Sequence, residues 1–81
     1  MGIFWNLFQP QGQDRERAEL TESMHQTQRA LNQAYAGFNQ AQHSELVESY
    51  VYEINALEHR YAYLLQKLRE VENSKETATV N

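Results

Sequence analysis

The stretch that most restricts how this chain can fold is 45–71, where Val47, Tyr50, Ile54, Leu57, Tyr61, Leu64, Leu68 and Val71 fall at alternating intervals of three and four. A strand returns its side chains to one face every second residue. This spacing returns them about every 3.5, which is the heptad period of a helix packed along a seam. Neither Gly nor Pro interrupts the run, and its β-branched residues are scattered. Leu46, Val51, Ala62 and Leu65 broaden the apolar face, as a helix with more than one neighbour requires. A helix over 45–72 follows.

A second seam lies upstream. Leu20, Met24, Thr27, Leu31, Ala34 and Phe38 repeat at 4-3-4-3-4, flanked by Ala30 and Tyr35. It is thinner than the first, because Thr27 and Ala34 are small, and Thr27 reads as a packing concession rather than a site. Asp14 is the expected N-cap, and Asp14, Glu16 and Glu19 put negative charge at the positive end of the helix dipole. The predicted helix covers 14–39, with Gly37 and Asn39 tolerating left-handed geometry at its end. The connection 40–44 is short, and short connections between helices make antiparallel neighbours. Ser44 or His43 caps the second helix, Glu45 and Glu48 lie in its first turn, and Lys67 and Arg69 lie near its last. Residues 73–81 lose apolar periodicity and read as a disordered tail.

Eighty-one residues allow one domain, an all-α antiparallel two-helix hairpin over 14–72 preceded by an apolar hook and polar hinge over 1–13. The absence of cysteine excludes disulfides and thiolate metal sites, and agrees with a cytoplasmic location. The formal net charge is −4. A duplex binder needs a basic face to displace counterions from phosphates, and no such face is present, so nucleic acid is not an expected partner.

Residues 2–8, Gly-Ile-Phe-Trp-Asn-Leu-Phe, form the most apolar stretch. Seven helical residues span about 10 Å against about 30 Å of hydrocarbon, too short to cross a membrane. A signal peptide would need a basic start, and myristoylation would need Ser or Thr where Asn6 stands. Two readings stay open for Ile3, Phe4, Trp5, Leu7 and Phe8. They form a hook folding onto the helices or across a dimer contact, or they form an anchor at a membrane surface. Against the anchor, no Lys or Arg lies in the first fourteen residues to attract anionic lipid.

Two helices alone leave much of each apolar face wet. Tyr52, Ala56, His59 and Tyr63 are spaced 4-3-4 on the far side of the second helix from its seam, with Asn55 alongside. Tyrosine suits interfaces, since it carries a large ring and a hydroxyl that can stay wet. Tyr52, Asn55, His59 and Tyr63 are the candidate partner-binding residues. A second protomer, the N-terminal hook or a different protein is expected to cover them. The simplest closed arrangement is a two-fold dimer forming a four-helix bundle.

Chemistry finds little footing. Glu22-x-x-His25 has the spacing of helical di-iron ligands, but both residues fall on heptad positions that point out of a bundle. Neither His43 nor His59 has a convincing second ligand three or four residues away. There is no Gly-rich phosphate loop, nucleophile elbow or carboxylate pair. Glu53, Glu58 and Arg60 flank the seam, where charges set partner and register. Two rods offer no concave pocket, so neither catalysis nor a metal or other cofactor is expected.

The run Tyr52-Glu53-Ile54-Asn55-Ala56-Leu57, then Arg60-Tyr61 and Tyr63-Leu64-Leu65, resembles the YaaL-like family of small Firmicute proteins of unknown function. Ala34-Tyr35, Phe38-Asn39 and Glu45-Leu46-Val47 fall where that family places similar residues, so the likeness covers 20–71. The family often has Asp-Pro where this chain has His43-Ser44, and often starts with basic residues where this one reads Ile-Phe-Trp. The resemblance implies a gene neighbourhood of recombination-repair and sporulation functions, without an activity or assigned site residues. The reading that follows is a small, non-enzymatic helical protein acting by protein–protein association, as a homodimer or adaptor. Its alternative is a peripheral membrane-surface protein held by residues 2–8.

Overall fold

A computed structural model describes residues 12–80, with side chains placed for 14–73. Helix α1 is Gly12–Gln40 and helix α2 is Ser44–Val80, joined by the three residues 41–43 and packed on each other as a hairpin. Among the described residues there is no strand. The apolar segment with Ile3, Phe4, Trp5, Leu7 and Phe8, the hook or anchor of the sequence reading, lies outside the described residues.

The helices run further than periodicity predicts at both open ends. α1 starts at Gly12, so Asp14 sits in its first turn instead of capping it, still close enough to meet the positive end of the dipole. α2 passes beyond 72 to Val80, so 73–80 are helical backbone and not the tail the sequence suggests. Loss of an apolar stripe removes a reason to pack but does not stop a helix. Only Gly, Pro or a competing cap does that, and Ser74-Lys75-Glu76-Thr77-Ala78 contains neither Gly nor Pro.

The turn settles which residue opens α2. The His43 backbone carbonyl accepts from the Val47 amide at 2.9 Å, and His43 Nδ1 accepts from the Glu45 amide at 3.3 Å. His43 is therefore the cap, and Ser44 is already in the helix. The Glu45 carboxylate also lies 3.9 Å from Nδ1. The two contacts exclude one another, because a ring nitrogen that accepts from an amide carries no proton to share with a carboxylate. Both side chains are mostly in solvent, where such an ion pair contributes little, and the cap is the interaction that orders the turn.

Gly37 does not end α1 in left-handed geometry. No described residue has positive φ, and the Gly37 carbonyl accepts the Ala41 amide at 2.9 Å as part of the last turn. What Gly37 provides is space. A Cβ there would overlap the end of the Tyr50 ring, which lies across the α1 backbone where the two helices come together at the turn.

The core is thin. Leu31, Ala34, Leu64 and Val71 are buried, together with Thr27. Thr27 keeps its hydroxyl satisfied locally by donating to the Ser23 carbonyl at 2.8 Å, as a packing concession should. The remaining seam residues of α2 (Val47, Tyr50, Ile54, Leu57, Tyr61 and Leu68) are half-buried. The molecule is 57 Å in its longest dimension and 13 Å in its thinnest. Thirteen ångström is about the diameter of one helix with its side chains, so the hairpin is a single layer open on both broad faces.

Candidate functional site

Two grooves run between the helices, one on each broad face. The first, about 310 Å³, lies toward the open end and is lined by Ser23, Gln26, Thr27, Ala30, Leu57, Arg60, Tyr63 and Leu64. Its floor is the buried pair Thr27 and Leu64, and its rim is polar. The second, about 490 Å³, lies near the turn and is lined by Tyr35, Phe38, Asn39, Val51, Ile54, Asn55 and Glu58. There the apolar side chains are themselves the exposed surface: Tyr35, Phe38 and Val51 are 43, 37 and 47% accessible.

Helical geometry accounts for the second groove. Tyr35 and Phe38 are three residues apart near the end of α1, and Val51 and Ile54 are three apart near the start of α2. Each pair occupies one side of its helix, and the short turn brings the pairs face to face. The Tyr35 hydroxyl donates to Glu58 Oε2 at 2.6 Å, tying the helices across the groove. That hydrogen bond, followed by partial desolvation and the negative charge of Glu58, holds the Tyr35 phenol above its ordinary pKa of 10.0. Sequence reasoning placed Phe38 on the seam and Tyr35 and Val51 on its flanks. The signal that could have identified the groove is the mirrored i, i+3 pairing about the turn.

The residues proposed for partner recognition are all exposed, but they do not form one cavity. Tyr52 is 72% accessible and lines neither groove. Asn55 belongs to the groove near the turn, and Tyr63, 58% accessible, belongs to the groove near the open end. His59 Nδ1 is 2.8 Å from the Asn55 carbonyl, a contact that places the proton on Nδ1 and makes it the donor.

Glu22 contacts Gln26 Nε2 at 3.4 Å and Arg29 at 3.8 Å, and His25 is exposed. Among the described residues, no three His, Cys, Asp or Glu side chains group so as to hold a metal ion, and no buried side-chain nitrogen or oxygen lacks a partner. No helix among them is long and apolar enough to cross a membrane.

No curated protein and no solved structure matches the chain. A family described as "Protein of unknown function (DUF2508)" matches residues 11–74, which takes in all of α1 and α2 as far as residue 74. The chain belongs to the DUF2508 family.

Proposed function

We propose that this protein is a non-enzymatic association module of the cytoplasm, working as a homodimer in which two hairpins pack into a four-helix bundle. The observation that carries this reading is the single helical layer, thin in core and rich in uncovered apolar groups. The chain exposes 6668 Å². A compact monomer of its mass would expose about 5,000 Å² and its extended chain about 13,800 Å², so folding alone removes only about half the surface. Tyr35, Phe38, Leu46, Val51, Tyr52 and Tyr63 remain more than a third accessible. Packing one layer on another is how helices of this kind bury such groups.

In this reading the back of α2, with Tyr52, His59 and Tyr63, is left for a further protein partner. No cofactor is involved. The finer kinship with YaaL-like proteins of Firmicutes rests on the Tyr-Glu-Ile-Asn-Ala-Leu run and adds no activity. The test is light scattering of the full chain beside a variant lacking residues 2–8, with liposome flotation of both. The expected result is twice its own chain mass for each, the full chain being 9.5 kDa, and no flotation. A chain that floats only when 2–8 are present, and is otherwise a monomer, would favour the membrane-surface alternative.

A further inference from the structure

Resting on the dimer reading, we infer that the groove near the turn is the dimer face and that its occupant is a second copy of the same groove, related by a two-fold axis.

Reach removes the nearest competitor. Tyr35 lies 23 residues along α1 from Gly12, about 35 Å at the helical rise. Phe8 is four residues before Gly12 and can extend about 14 Å from it, and even Ile3, nine residues before, can extend only about 32 Å. The apolar N-terminal segment therefore cannot fill this groove in its own chain. It can span the distance to Ser23, about 17 Å away, in the other groove.

Each groove has one charged lining residue, Glu58 near the turn, where it accepts from Tyr35, and Arg60 opposite, so the choice between them falls to the shape and polarity of the lining. A two-fold contact must also complement itself. Asn39 and Asn55 each stand one residue, about 100° of helix rotation, beyond an apolar lining residue, and so form the outer margins of the groove. A carboxamide both donates and accepts, so these margins can pair with their own copies, enclosing an apolar centre of Phe38, Val51 and Ile54. The area suffices. The face is two helices wide over the 29 residues of α1, about 44 Å, and so offers about 870 Å², against about 800 Å² per partner in a standard interface.

Leu46 supplies a matched control. It and Val51 are both 47% accessible on α2, but five residues of helix turn them about 140° apart. Val51→Glu and Leu46→Glu therefore cost the hairpin similar amounts, while only the first buries a pair of like charges at the proposed face. Sedimentation of both full-length variants, with circular dichroism to confirm helicity, is the test. Val51→Glu is expected to weaken dimerisation about a hundredfold and Leu46→Glu less than about threefold, and mixing Val51→Glu with Val51→Lys is expected to restore the dimer. A dimer that survives Val51→Glu, or dissociates equally with Leu46→Glu, overturns this face while leaving the dimer reading intact. A wild-type monomer overturns both.

Discussion

The two ends of the hairpin are built differently from similar sequence. Toward the open end, Leu64 and Val71 of α2 are buried. Toward the turn, no residue of α2 between 44 and 61 is buried, although Leu46, Val47, Tyr50, Val51 and Ile54 lie there. Heptad spacing is equally regular in both halves. The difference lies in α2, since α1 keeps Thr27, Leu31 and Ala34 buried on the turn side of its midpoint, while at the turn the Tyr50 ring of α2 already occupies the space over Gly37. Rings that cannot interleave within one layer remain on its faces. Along α2 the half away from the turn is therefore the buried one, and the half near the turn is the one the proposed dimer would cover.

The largest effect expected on that contrast comes from its two leucines. Leu64→Ala should cost about 2–4 kcal/mol, since a buried leucine leaves a cavity, and Leu46→Ala less than about 1 kcal/mol. Urea unfolding of both variants measures it, and equal losses would erase the distinction between the ends.

Next comes Gly37→Ala. In an exposed helix the change should stabilise by about 1 kcal/mol. Here the new methyl displaces the Tyr50 ring, and a net loss of about 1 kcal/mol is expected. In a Tyr50→Ala background the sign should revert to a gain, and thermal melts of the four chains make that comparison. A gain in both backgrounds would show that the ring does not need the space.

The Tyr35–Glu58 tie gives a smaller, pH-dependent effect. Because the folded phenol is held above 10.0, its contribution is present in full below the unfolded value and is lost as pH rises through the higher folded one. Stability should therefore fall in the alkaline range. Glu58→Gln should return the phenolate absorbance titration of Tyr35 toward its ordinary range. An unchanged titration would mean that the two side chains do not meet. Smallest of all, His43→Asp should stabilise by about 0.5 kcal/mol, because a carboxylate accepts the Glu45 amide better than an imidazole and favours the helix dipole. Matched thermal melts of the two chains check it, and a loss would mean that repulsion from Glu45 outweighs the better cap.

Much of the fold was legible in the residues. Two apolar periodicities and a short polar connection lead to two packed helices, since the spacing that identifies a helix is local. The helix ends were less legible. The open ends lack a strong stop signal, and the roles of His43 and Gly37 depend on contacts across the turn. The groove near the turn was hardest to see. Phe38 and Val51 look like seam and flank on a wheel of either helix alone, and only their juxtaposition shows that neither helix covers the other's side chain. The stripe of Tyr52, Asn55, His59 and Tyr63 was visible as exposed aromatic surface, but its division between two grooves depends on where α1 lies.

The central claim is that one layer of two helices is not the finished fold. Thermal unfolding of the intact chain, followed by circular dichroism over about a hundredfold range of protein concentration, tests it most directly. A Tm that climbs with concentration is predicted, because association of the native state draws the equilibrium toward folding. A sharp, cooperative transition at the same Tm throughout that range would mean the hairpin stands alone, contradicting the claim.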